Sequence, residues 1–107
     1  MPTLKIVLCS ASVTEAFAWI DTDNDGQISD EHQVPLTRVS DCWSGKSVIN
    51  VATADGIVVL WHVEGEKGGV FTHRATRQSG NDEVVLDDET ATLVSSRQRI
   101  IRSCKEP

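Results

Sequence analysis

The sequence predicts an α+β fold: a mostly antiparallel sheet or small barrel of five or six strands, with one short N-terminal helix covering part of it. Three observations lead there. A Ser-x-x-Glu pattern opens a stretch with helical apolar spacing within residues 12–20. Two Val- and Ile-rich runs flank Asp55-Gly56. Further strand-like runs at 70–77 and 83–87 are set apart by Gly-containing turns. Of 107 residues, 39% are hydrophobic and 24% charged, which suits a single globular domain, 1–107, rather than a disordered tail.

Thr3 to Cys9 mixes apolar and β-branched residues and reads as a short strand. Ser12 and Glu15 have capping-box spacing, and Val13, Ala16, Phe17 and Ile20 follow at i, i+3, i+4 and i+7. That pattern is one apolar face of a two-turn helix. Pro35 forbids a long helix downstream, leaving room for one helical turn between Ser29 and Gln33 and a short strand from Leu36 to Val39. Ser47–Thr53 and Ile57–Val63 are expected to form a hairpin, because Asp-Gly supplies the positive φ values that a two-residue turn requires. Gly65, Gly68 and Gly69 mark the next turn, Val70–Arg77 a strand, Ser79–Asp82 another turn, and Glu83–Asp87 a further strand. The tail from Thr90 to Cys104 favours strand on its β-branching, with a helix capped by Asp87 or Asp88 as the alternative.

The chain carries 10 basic and 16 acidic residues, a formal net charge of −6. That balance argues against a nucleic-acid partner, which requires a basic stripe. No apolar run reaches membrane-spanning length, and Ile6–Cys9 is too short for a signal-peptide core, so no membrane partner is expected. The three cysteines, Cys9, Cys42 and Cys104, are widely spaced and fit no zinc pattern. An odd count of dispersed cysteines reads as buried reduced thiols and a cytoplasmic address.

The segment from Asp21 to Glu31 holds five carboxylates and no basic residue. Oxygens at alternate positions can converge on a hard cation when the backbone curls, and glycine at the sixth position allows the curl. Asp21-Thr22-Asp23-Asn24-Asp25-Gly26-Gln27-Ile28-Ser29 resembles the EF-hand calcium loop. Together with Glu15-Ala16-Phe17 and Ile20 upstream, the resemblance covers residues 12–32. It implies calcium as cofactor, with Asp21, Asp23 and Asp25 as side-chain ligands, Gln27 through its carbonyl, and Ser29 directly or through water. Position 12, where the family places a bidentate Glu, is His32, so the nearest carboxylate, Glu31, one residue early, would complete the ligand set by reaching in through a local shift. Asn24-Asp25-Gly26 is equally the chemistry of a plain turn with a solvated acidic tip.

Ser44-Gly45-Lys46-Ser47 is similar to the end of a phosphate-binding loop but lacks its first glycine, and reads as a turn. Cys42 with His62 or His73 could form a nucleophile and base, but no local signature supports it, and no enzyme is expected. Trp19 falls off the apolar stripe and Trp43 lies in a loop; each either caps the core or marks an interface. Arg97, Arg99, Arg102 and Lys105 give the tail a basic strip that is either a solvated face or a self-association contact. Two functions follow: a small non-catalytic binding domain holding one calcium ion in a mainly structural role, or an acidic, metal-free interaction module. The module would dock a basic protein partner or assemble as a homo-oligomer.

Overall fold

The computed structural model describes residues 2–22, 26–49 and 56–104. Within them the chain runs through nine strands. In order these are β1 (Thr3–Cys9), β2 (Val13–Ile20), β3 (Gln33–Val34), β4 (Thr37–Val39), β5 (Cys42–Val48), β6 (Ile57–Gly65), β7 (Val70–Ser79), β8 (Asp82–Thr92) and β9 (Arg97–Cys104). A single 3-10 turn at Asp30–His32 is the only helical element among the described residues. The strands form two antiparallel sheets, ordered β4-β5-β1-β7-β8 and β3-β2-β6-β9. The fold is therefore a β-sandwich, and the expected α+β class with an N-terminal helix is overturned.

The inward residues of both sheets share one core. Leu4, Ile6 and Leu8 of β1 and Phe71 and Ala75 of β7 come from one side. Ala16 and Ala18 of β2 and Val59, Trp61 and Val63 of β6 come from the other. Strand alternation places these side chains on one face and their neighbours on the opposite one.

Residues 13–20 explain how a strand came to look like a helix. The register between β2 and β6 shifts between Val13 and Glu15, so one extra residue is accommodated there. Thr14 and Glu15 are both exposed, and Val13 and Ala16 both point inward. A bulge thus replaces the spacing of two by a spacing of three, which is also the helical i, i+3 interval. Ser12 does not cap a helix. Its amide donates to Ser10 Oγ at 3.0 Å and its carbonyl accepts from Glu66, holding the arch that carries the chain from one sheet to the other.

The expected hairpin of Ser47–Thr53 with Ile57–Val63 is also corrected. Val48 pairs with Thr3, and Val63 with Ala16 and Gln98. β5 is flanked by β1 and β4, and β6 by β2 and β9, so neither has an edge to offer the other. Residues 50–55 lie outside the described residues. Among the described residues the in-plane pairings of consecutive strands are β2–β3 and the two tight hairpins, β4–β5 and β7–β8. The latter turns through Gly80 at φ 59°, a conformation that costs glycine nothing.

Ser44–Ser47 is strand rather than turn. A Cβ on Gly45 would lie 2.7 Å from Pro35 O and 2.7 Å from Val34 Cγ1, so this glycine lets the β3–β4 link close over β5. Cys9 and Cys42 stand directly opposite each other in the β1–β5 register and form a disulfide. The reading of all three cysteines as reduced thiols is corrected. Cys104 is the one free, buried cysteine among the described residues, and burial pushes its pKa up to about 12. Disulfides persist in oxidising compartments, so the ground for expecting a reducing address falls with the free thiols.

Candidate functional site

The acidic loop leaves β2 at Asp21, which is buried, with its amide donating to Val58 O at 3.0 Å. Its carboxylate Oδ2 accepts from the Gly26 amide at 3.0 Å, drawing the loop back on its first residue. Gly26 takes φ 81°, as its place in a tight curl requires. Gln27, Ser29 and Glu31 are exposed. His32 is buried, and its Nδ1 accepts from the Ser29 amide at 3.3 Å while its own amide donates to Ser29 O at 2.9 Å. Position 12 of the loop is thus used to fix the 3-10 turn. Asp23 and Asp25 lie outside the described residues. At one end of the loop the Asp21 carboxylate is taken up by the Gly26 amide, and no described cluster of cation ligands stands around it. At the other, an imidazole replaces the bidentate carboxylate. Among the described residues no group of three or more His, Cys, Asp or Glu side chains could hold a metal ion.

A second constellation lies on the outer face of the four-stranded sheet. Because Ala16, Ala18, Val59, Trp61 and Val63 point inward, their neighbours in β2 and β6 point out. The register sets three rows across β2, β6 and β9: Glu15–Glu64–Arg97, Phe17–His62–Arg99, and Trp19–Leu60–Ile101. Phe17 is 36% and Ile101 68% exposed, while Trp19 and Leu60 are half-buried. Arg97 Nε donates to Glu64 Oε1 at 3.0 Å, and His62 Nε2 is 3.6 Å from Glu64 Oε2. The Phe17 and His62 rings lie 6.1 Å apart, tilted by 38°. The result is an apolar band beside a charged row, acidic on the β2 side and basic on the β9 side.

The two tryptophans in question separate. Trp43 is buried, with the Arg38 guanidinium 4.6 Å above its ring. It sits in the wall of a cleft of about 400 Å³ between the β2–β3 and β4–β5 edges, with Phe17 and Pro35 also lining it. Trp19 belongs to the outward apolar row.

A polar cluster closes the opposite flank, where β8 of one sheet meets β9 of the other. Arg102 donates to Asp87 from Nε and Nη2 at 3.1 and 2.8 Å, and its Nη1 is 3.0 Å from Glu89 Oε2. His73 is buried beside them, its Nδ1 3.4 Å from Asp87 Oδ2. Burial pushes the His73 pKa below its ordinary value; Asp87 pulls it back up, and Arg102 opposes that pull. Arg102, expected on a strip that is either a solvated face or a self-association contact, is instead half-buried against Asp87 and Glu89. What sequence reading missed is that β8 and β9 close against each other at this flank. Cys42 is in the disulfide, so the Cys42–His nucleophile pair is not formed.

Compared with known proteins, the chain matches no family model, no curated protein and no solved structure. No helix among the described residues is long and apolar enough to cross a membrane.

Proposed function

We propose that this β-sandwich is a non-catalytic protein-interaction module whose docking surface is the outer face of the four-stranded sheet. The observation that carries the reading is the row Trp19–Leu60–Ile101 with Phe17 beside it, outward-facing apolar side chains of which Phe17 and Ile101 are exposed and Trp19 and Leu60 half-buried. Contiguous exposed apolar surface with a charged margin is the anatomy of a docking site, and aromatic residues are enriched where such sites concentrate their energy. A photo-crosslinking residue at position 101, with a control at Val85 on the other sheet, tests it. Polypeptide adducts are expected from position 101 and not from position 85. Adducts in equal yield from both positions, or from neither, would count against it.

A calcium-holding loop is the second reading, favoured by the closure of Asp21 onto Gly26. Its role would be structural, neutralising clustered carboxylates. An ion bound only by the folded state raises the thermal midpoint by mass action. The midpoint of the wild type is expected to rise with calcium over chelator and that of Asp21→Ala to stay put; no rise in the wild type at millimolar calcium removes this reading.

A further inference from the structure

We infer that the occupant of this face is a second copy of the chain, stacked face to face about a twofold axis running along β6. The inference rests on the docking reading above and adds the partner's identity. It follows from the way the rows are ordered. Going from β2 to β9, the first row passes from Glu15 to Arg97, the second from Phe17 to Arg99, and the third from Trp19 to Ile101. A twofold axis parallel to β6 lays β2 of one copy over β9 of the other at the same height. Glu15 then meets Arg97 of the partner subunit, opposite charge on opposite charge. Phe17 meets Arg99 of the partner subunit, a guanidinium over an aromatic face. Trp19 meets Ile101 of the partner subunit, and on the axis Leu60, His62 and Glu64 each meet their own counterparts, each Glu64 carboxylate being held by Arg97 Nε of its own copy at 3.0 Å.

Each contact off the axis occurs twice and each on it once, as a self-complementary twofold interface requires. The charge order also discriminates. A twofold axis at right angles to the strands would set β2 on β2 and β9 on β9, where Glu15 finds no basic residue and Arg97 no acidic one at any height of the axis. Two sandwiches stacked in this way extend the same aligned sheet packing that already joins the two sheets within one copy.

Sedimentation over graded concentrations up to about 1 mM tests the inference, since a complex weaker than millimolar has little standing as an assembly. The wild type is expected to dimerise. Glu15→Arg and Arg97→Glu are each expected to weaken the dimer tenfold or more. An equimolar mixture of the two variants is expected to recover it as a heterodimer, because the two reversed charges then face each other at one contact and the native pair is kept at the other. Ile101→Asp, at an exposed position outside any ion pair, is expected to give a folded monomer and supplies the loss arm if Arg97→Glu proves unstable beside Glu64. A wild type that stays monomeric throughout, a dimer indifferent to Glu15→Arg and Ile101→Asp, or a mixture that does not recover would each overturn it. Crosslinks from position 101 to other polypeptides, with the chain itself monomeric, would leave the docking reading standing and remove the second copy.

Discussion

Gly45 and His73 show how much single positions owe to the neighbours that the fold brings to them. Gly45 sits in a β-strand, where glycine ordinarily weakens the element, yet its missing side chain is what lets Pro35 O approach. Gly45→Ala should therefore destabilise the protein, where relief of glycine's backbone entropy alone would stabilise it by about 0.4–1 kcal/mol. Urea unfolding decides the sign. His73 carries a pH dependence whose direction follows from its depressed pKa. Below the ordinary value of 6.5 the unfolded chain takes up a proton that the folded chain still refuses, so stability falls as the pH drops through that window. Above it the contribution is fully present. The gap in unfolding free energy between wild type and His73→Gln should accordingly narrow on acidification from pH 7.5 to 5.5, read by denaturant titration at each pH. A gap that widens instead would mean that Asp87 and Glu89 outweigh burial.

At the scale of elements, the β1–β5 pairing is decided by more than backbone hydrogen bonds. Cys9 and Cys42, 33 residues apart in sequence, lock its end. In the chain-entropy account, closing a loop of that length restricts the unfolded chain by about 3–4 kcal/mol. Replacing both cysteines with serine should lower stability by up to that amount, and thiol titration of the unreduced wild type should find one cysteine in three. Several elements were legible from residues alone. The strand Thr3–Cys9, the one-turn limit between Ser29 and Gln33, and the Gly80 turn were read from β-branching, the proline and the turn residues. Residues 13–20 were misread because a bulge imitates a helical interval. The Asp55-Gly56 hairpin was misread because turn chemistry marks where the chain bends, not whether it returns to the same sheet.

For the whole molecule, the flank between β8 and β9 is held by side chains where no backbone ladder joins the sheets. Arg102 ties Asp87 and Glu89 of one sheet to β9 of the other. Arg102→Ala would leave the largely buried Asp87 carboxylate short of its partner. A cost of about 1–3 kcal/mol is expected, because a buried charged acceptor loses its donor. Hydrogen exchange should quicken first in β8 and β9, while the pairing of β2 with β6 keeps its protection.

The sequence by itself determined where the chain is apolar, where it bends and where its charge collects, because those are properties of neighbouring residues. It marked the acidic loop, the basic tail and the outlying Trp19 as residues needing a purpose. Only the tertiary structure decided that Glu15, Phe17 and Trp19 share rows with Arg97, Arg99 and Ile101, and that Cys9 faces Cys42. Those pairs are formed by strand register between segments about thirty to eighty residues apart. Register is chosen by the burial of whole faces at once, a collective energy that no local window of residues contains.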